Sequence, residues 1–260
     1  MQQRIVRTKQ RITAAGIPYR VPEADELAER LTSVHSVIYA IFTEGYAATE
    51  HPEFVRVDLV GEAIRLAERV CALLPDEAES LGLLARFLLH DARRASRVDA
   101  DGALVLLDDQ DRSTWNHDLI DRGTALLERA GALHRPGPFQ LQASIAALHA
   151  QAPSVEETDW IQIASLYTAL LPIWPSPSAR IACALAIGMA DGPDAGLALL
   201  DLLTDDDDDA RLVAARGHLL QRAGRTDEAS IAFEAAAGSA RHPLEAERLR
   251  RRAQDVGNPR

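Results

Sequence analysis

Apolar residues recur every three or four positions along most of this chain, and this spacing restricts the possible folds more than any other feature. Leu27, Leu31, Val34, Ile38 and Ile41 form one such series. This spacing places apolar side chains on one face of an α-helix. Turns containing Gly or Pro separate the series at short intervals. The pattern therefore predicts roughly ten or eleven helices joined by short connections.

The composition favours the same fold class. Hydrophobic residues make up 47% of the chain but aromatic residues only 5%, and most of the apolar residues are Ala and Leu. Strands prefer β-branched and aromatic residues, whereas Ala and Leu favour helices. Residues 59–89 and 212–238 each resemble a tetratricopeptide helix pair, but no repeat of about 34 residues runs through the chain. We predict an all-α fold, namely an irregular, tetratricopeptide-like helical repeat array.

One segment departs from the helical pattern. Residues 97–108 alternate between apolar and polar side chains around Asp101-Gly102. An Asp-Gly pair between alternating residues is a strong signal for a tight turn between two strands. The sequence therefore predicts one short β-hairpin at residues 97–108.

The charge is unevenly distributed. The net charge is -11, yet residues 1–22 carry five basic residues and no acid, which leaves -16 for the remainder. This balance excludes a nucleic-acid footprint over the whole surface. The basic N-terminal helix either binds phosphate backbone or joins domains with its arginines in water. The nucleic-acid candidates are Arg4, Arg7, Lys9 and Arg11.

The sequence offers no metal or membrane signal. Cys71 and Cys183 have no zinc-ligand spacing, and we expect buried thiols in a reducing compartment. A calcium loop starting at Asp99 would need Gly at its sixth position and Glu at its twelfth, where this chain has Leu104 and Gln110. No signal peptide or membrane-length apolar run is present. We expect a cytoplasmic protein with no cofactor, no metal and no membrane contact.

The eight histidines do not form a catalytic pattern. No HExxH motif and no histidine pair four positions apart occurs. His90 and Asp91 are adjacent, but neighbouring positions on a helix do not face each other. Glycine-rich phosphate loops and a GxSxG nucleophile motif are also missing from the sequence. We therefore predict that the chain is not an enzyme and has no catalytic residues.

Charges of both signs flank the predicted hairpin. Three arginines precede it and three aspartates follow it, so folding the hairpin would bring them together. One interpretation is an ion network that holds the hairpin against the helices. The other is a surface that binds a partner. The partner-binding candidates are Glu44, Tyr46, His90, Asp91, Arg93, Arg94, Asp108, Gln110, Asp111, Arg112 and Trp115.

Several motifs resemble one family in combination. Residues 3–9 (QRIVRTK) resemble the end of the DNA-reading helix of extracytoplasmic-function sigma factors, and residues 16–22 resemble the joint after it. Other segments resemble the long C-terminal, tetratricopeptide-like extension of these factors. They are residues 38–46 (IYAIFTEGY), 88–94 (LLHDARR), 110–112 (QDR) with Trp115, 137–143 (GPFQLQA), 158–160 (TDW) and 191–193 (DGP). Thr43 stands where the family usually has Asn, and residues 205–213 lack its aromatic-His pattern.

The resemblance implies a domain organisation and a function. Residues 1–20 would be a remnant of the sigma DNA-binding helix and linker, residues 21–255 a helical repeat-like domain, and residues 256–260 a disordered tail. The chain would be a truncated gene product or an expressed fragment. It would act as a regulatory scaffold in transcription initiation through protein contacts. Its partners would be the sigma domains of the parent protein and the RNA polymerase core, with DNA bound only through the missing N-terminal domains.

Two other functions stay open from the sequence. A small-molecule-sensing helical domain would hold its ligand between the hairpin and the helices, in a pocket lined by Trp115, Tyr46 and the arginines. A hydrolase-like enzyme would need histidines and acids that converge in one cleft.

Overall fold

Helices form nearly all of the regular structure in the computed structural model, which describes residues 11, 14, 24–48, 51, 54–100, 102–203 and 209–257. The α-helices of this part are α1 Ala24–Tyr46, α2 Val57–Leu73, α3 Ala78–Asp91, α4 His117–Ala132, α5 Pro138–Gln151, α6 Trp160–Leu170, α7 Pro177–Ala190, α8 Pro193–Asp201, α9 Ala210–Arg222, α10 Thr226–Ser239 and α11 Pro243–Gly257. Short 3₁₀ helices form at Arg94–Ser96, Leu107–Asp109 and Arg112–Thr114. The prediction of an all-α chain is confirmed for these residues.

The chain divides into two compact units, residues 1–37 and 38–260. In the first unit, the described residues are Arg11, which is helical and exposed, Ala14 and the part of α1 before residue 38. The other nucleic-acid candidates, Arg4, Arg7 and Lys9, lie outside the described residues. So do residues 205–208 and 258–260, and α11 ends two residues into the predicted tail.

Within the second unit, most helices pack on their neighbours in the chain, and α5 packs most extensively on α3. Two cores result. One contains Phe42 and Phe87, whose rings stack at a centroid distance of 4.0 Å. The other lies among α7 to α11, around fully buried Leu200 and Leu219. Burying each such side chain contributes about 1.5–3 kcal/mol, so packing rather than helix propensity fixes the array.

The contact between α3 and α5 is set by a charged cap. The Glu79 carboxylate on α3 accepts hydrogen bonds from the backbone N–H of Phe139 (2.8 Å) and from Nε2 of Gln140 (3.0 Å) at the start of α5. A carboxylate at a helix N-terminus satisfies free N–H groups and interacts favourably with the helix dipole. This cap fixes the position of α5 against α3, and the side chains described below project from both helices.

The predicted β-hairpin is wrong. Residues 98 and 104 form a single antiparallel bridge, and no strand occurs in the part of the chain that the structure describes. Gly102 turns the chain at φ +82°, as the Asp-Gly signal indicated, and Asp99 N–H donates to the Ala103 carbonyl at 2.9 Å. The pairing then ends, because the chain enters the 3₁₀ helix at Leu107. A two-stranded ribbon this short is not stable without further strands.

No helix within the described ranges is long and apolar enough to cross a membrane.

Candidate functional site: a stacked joint, a polar groove and a cavity

The region from residue 81 to residue 115 is joined to α1 by a stack of rings and guanidinium groups. The guanidinium carbon of Arg97 lies 3.5 Å from the ring centroid of Tyr46, and its Nη1 donates a hydrogen bond to the Tyr46 carbonyl. The ring of His90 stands edge-on to the same Tyr46 ring, at 5.2 Å. We call Tyr46, His90 and Arg97 the joint. It fixes the end of α1 on the end of α3.

Burial controls the charges of the joint. It lowers the pKa of Arg97 to about 10 and, together with nearby arginines, holds the pKa of His90 well below 6.5. Removing a cation from water disfavours its charged form, and positive neighbours add to this effect for histidine. His90 is therefore a neutral ring at pH 7, held between Tyr46 and α3. The partner-binding candidates Tyr46 and His90 thus contribute to internal packing.

The ion network expected around the predicted hairpin does not form among the described residues. Arg94 pairs with Asp91, three positions earlier at the end of α3, at 3.4 Å, and Asp109 pairs with Arg252 of α11 at 3.5 Å. Asp111 accepts hydrogen bonds from the N–H and the hydroxyl of Ser113, at 2.9 and 2.6 Å. Asp111 therefore caps the third 3₁₀ helix and does not meet Arg93. Burial raises the pKa of Asp91.

Arg112 holds the C-terminal end of α5. Its Nη1 donates 2.7 Å hydrogen bonds to the carbonyls of His149 and Ala152. A cation is favourable there because the last carbonyls of a helix carry partial negative charge. Its guanidinium carbon also lies 5.0 Å from the ring centroid of Trp115, which is 4% exposed. Trp115 is therefore a buried anchor, as is Gln110, whose Nε2 donates to the Val105 carbonyl at 3.1 Å.

Four partner-binding candidates line one open, polar depression of about 740 Å³, which we call the groove. They are Asp108, Gln110, Asp111 and Arg112. The other lining residues are Asp109, Ser113, Pro153, Ser154, Val155, Glu156, His218, Gln221, Arg222 and Arg252. Asp108 and Asp111 are exposed. Of the remaining candidates, Glu44 and Arg94 are half-buried at the ends of α1 and α3.

A second concavity, of about 350 Å³, lies between α1, α3, α5, α6 and α7, and we call it the cavity. It is lined by Tyr39, Arg86, His90, Arg93, Leu107, Gln142, Ile145, Ala146, His149, Tyr167, Leu170, Trp174, Ser176, Ser178, Ala179 and Ala182. The guanidinium carbon of Arg86 lies 4.8 Å from the Tyr39 ring centroid. From the sequence we expected a pocket lined by Trp115, Tyr46 and the arginines. Tyr46 and Trp115 instead pack against arginine side chains. Of the residues expected to line that pocket, only Arg93 lines the cavity.

The cavity contains one buried cation and several neutral polar groups. Burial lowers the pKa of Arg86, but a guanidinium stays protonated at neutral pH. Burial and the neighbouring Arg93 and Arg112 lower the pKa of His149 to about 4, so this ring is neutral at pH 7. Burial raises the pKa of Tyr167 to about 12. No carboxylate is among the residues that line the cavity, so His90 and His149 converge without the acids that a hydrolase would need.

Sequence reasoning missed Arg86. It lies inside the apolar run of α3, between fully buried Ala85 and Phe87. The signal was an arginine among apolar residues on a helix. Hydrophobic periodicity does not identify such a residue, because it considers only where the apolar positions recur. No group of three potential metal ligands occurs within the described part of the chain.

Residues 30–131 match the model of a family of unknown function (DUF6596). This match spans all of α2 to α3, the joint, and the 3₁₀ helices that border the groove. An uncharacterised protein of Rhizobium meliloti (strain 1021) is 44% identical to the chain over 256 residues. The alignment covers 96% of this chain but only 59% of that protein, so the chain spans about three fifths of its curated relative.

Proposed function

We propose that this chain is a non-enzymatic regulatory domain of an extracytoplasmic-function sigma factor, and that it binds a partner protein through the groove. The observation that carries the proposal is the gathering of Asp108, Gln110, Asp111 and Arg112 on one open surface. The motifs that contain Gln110, Asp111 and Arg112 are among those that resemble the sigma-factor extension. The relative continues beyond the matched region, which is compatible with additional domains that this one would regulate.

The groove has the chemistry of a polar docking surface. Of its three arginines, Arg112 binds backbone carbonyls and Arg252 pairs with Asp109, whereas Arg222 is exposed. Asp108 and Asp111 are exposed, and the Ser113 hydrogen bonds hold the pKa of Asp111 below its usual value. The four acidic residues of the groove, Asp108, Asp109, Asp111 and Glu156, outnumber its three arginines, so its net charge is negative. Complementary charges orient partners and speed their association, so the partner surface should carry Arg or Lys.

The partner is proposed to be the sigma domains or the RNA polymerase core, as the resemblance implies. The test is direct binding of the full chain to each of these, measured by biolayer interferometry. Asp108→Arg should weaken binding about tenfold, since reversing one exposed interface charge typically costs about 1.4 kcal/mol. The matched control is Asp227→Arg, because Asp227 is an exposed aspartate in the first turn of α10 and does not line the groove.

The possible outcomes separate the two parts of the proposal. Equal affinity of the Asp108→Arg and Asp227→Arg chains would remove the groove as the docking surface. Failure of the unmodified chain to bind either the sigma domains or the polymerase would contradict the sigma-factor function itself.

A further inference from the structure

Arg86 is a buried cation without a buried anion. Its Nη1 is fully buried and has no hydrogen-bond partner, and no ion pair of the described residues includes it. Its favourable contact is with the ring of Tyr39, whose centroid lies 4.8 Å from the guanidinium carbon. A cation removed from water is unfavourable unless it is paired and hydrogen-bonded. Helix α3 therefore places an uncompensated charge at the wall of the cavity.

Three other polar side-chain atoms of the cavity are buried without a hydrogen-bond partner. They are His90 Nδ1, His149 Nδ1 and Gln142 Nε2. They come from two helices, α3 and α5, and all line the same cavity as Arg86. Buried polar groups in folded proteins are nearly always satisfied, so four unsatisfied groups around one space call for a common explanation. A ligand that accepts hydrogen bonds from Arg86 and Gln142 supplies one.

We infer that the cavity binds a small organic carboxylate with a compact apolar or aromatic body. A guanidinium matches a carboxylate in charge and in its two-pronged geometry. Arg86 carries a positive charge on a guanidinium whose Nη1 is buried without a partner, and one carboxylate would balance it. Arg93 also lines the cavity, and both histidines there are neutral. Leu107, Ile145 and Trp174 provide an apolar wall for the body of the ligand. The volume of about 350 Å³ lies within the range of small-molecule sites.

This site is separate from the groove proposal, and either can fail without affecting the other. The experiment uses the full chain and isothermal titration calorimetry. The probes are benzoate and 3-phenylpropionate, with their neutral amides and inorganic phosphate as comparisons. At least one carboxylate should bind saturably and at least tenfold more tightly than its amide and than phosphate. The absence of saturable carboxylate binding overturns the inference, and so does equal binding of the amide or of phosphate.

Arg86→Met removes the charge while keeping an apolar side chain of similar length. It should weaken carboxylate binding at least tenfold, while Arg122→Met should bind as the unmodified chain does. Arg122 is the control because it is an exposed arginine on α4, paired with Glu68 at 2.9 Å. Unchanged carboxylate affinity of the Arg86→Met chain would assign the binding to a different site and overturn the inference.

A measurement without ligand separates a binding role of Arg86 from a structural one. Because the cation is unpaired in the ligand-free protein, Arg86→Met should leave the Tm unchanged or raise it. A fall of several degrees would mean that Arg86 stabilises the fold by itself, and it would overturn the explanation of Arg86 as a ligand-binding cation. The carboxylate should raise the Tm of the unmodified chain in proportion to the logarithm of its concentration, and should leave that of Arg86→Met unchanged.

Discussion

Several arginines of this protein are accommodated by rings and carbonyls rather than by acids. Arg97 lies over Tyr46 and donates to a backbone carbonyl, and Arg112 binds two carbonyls and approaches Trp115. A guanidinium tolerates such surroundings because it is planar, weakly hydrated and able to stack. At the scale of single residues, these contacts join segments that are distant in the sequence.

Replacing Arg97 with Met should destabilise the protein. Arg97 is only 8% exposed, and the substitution removes both its stacking on Tyr46 and its hydrogen bond to the Tyr46 carbonyl. The expected loss in free energy of unfolding is about 1–3 kcal/mol, measured by urea denaturation. Arg65→Met is the control, since Arg65 forms an exposed pair with Glu62 one turn away. It should change stability by less than about 0.5 kcal/mol. Similar effects of the two substitutions would show that the joint is not a stabilising contact.

The arginines themselves were visible in the sequence, but their partners were not. Arg93, Arg94 and Arg97 flank a segment rich in aspartate, and opposite charges predict pairing. The partner of a long side chain depends on the three-dimensional positions of rings and free carbonyls, which no spacing rule contains. The Tyr46 carbonyl accepts the Arg97 hydrogen bond from 51 positions away in the sequence. Such contacts can be recognised only after the helices are packed.

At the scale of elements, the close contact between α7 and α8 depends on glycine. The sequence predicts residues 179–190 as a helix of small residues suited to close packing, and the structure confirms it. A Cβ on Gly196 of α8 would lie 2.6 Å from the Ala184 carbonyl oxygen of α7 and 2.8 Å from the Gly188 Cα. Both atoms belong to the backbone of α7. The helices can therefore approach this closely only without a side chain at position 196.

Gly196→Ala should therefore lower the free energy of unfolding by about 1–3 kcal/mol, because the added methyl forces α7 and α8 apart. The matched variant is Gly238→Ala in α10, where an added Cβ meets nothing within 4 Å. Alanine restricts the unfolded chain and favours helix, so Gly238→Ala should stabilise by about 0.5–1 kcal/mol. Chemical denaturation of both variants checks the pair. A neutral Gly196→Ala would mean that the two helices can separate without cost.

Helices were the predictable elements, and the bridge at residues 98 and 104 shows where prediction failed. Periodicity over several turns identifies a helix because many residues repeat the same signal. The alternation around Gly102 had only a few residues on each side, and the turn signal was correct while the strands were not. The next segment begins a 3₁₀ helix at Leu107, and Leu107 lines the cavity. Packing against helices thus displaced the pairing that local alternation favoured.

At the scale of the whole molecule, buried histidines connect stability to pH. Burial lowers the pKa values of His90 on α3, His149 on α5 and His218 on α9. In the unfolded chain each ring takes up a proton near pH 6.5, whereas the folded state resists protonation. The unfolded state therefore binds more protons as the pH falls below 6.5. Stability is complete above that pH and declines toward the folded pKa, which for His149 is about 4.

We expect the free energy of unfolding to be lower at pH 5 than at pH 7, with His149 alone contributing up to about 2 kcal/mol of the difference. His149→Phe keeps an aromatic ring beside Trp160 but cannot be protonated, so its loss between the two pH values should be smaller by that amount. Urea denaturation at both pH values measures it. His117→Gln is the control, since His117 is exposed at the start of α4. The same pH dependence in the His149→Phe and unmodified chains would contradict the assignment.

The whole-molecule arrangement also explains which parts of the candidate site the sequence could supply. The 3₁₀ helices that border the groove are local in sequence, so Asp108, Gln110, Asp111 and Arg112 could be nominated together. The cavity gathers residues from five helices, and one of them, Arg86, has no neighbour in the sequence that points to it. A surface made from one segment can be predicted from its residues, whereas a space enclosed by several helices cannot.

The two hydrogen bonds of Arg112 connect the groove to the end of α5. Arg112 lines the groove, while the carbonyls it holds belong to His149 and Ala152 at the end of α5. The side-chain ring of the same residue, His149, lines the cavity. The guanidinium therefore links a residue that lines the groove to a residue that lines the cavity. A shift of the last turn of α5 would move the Arg112 side chain with it and change the shape of the groove.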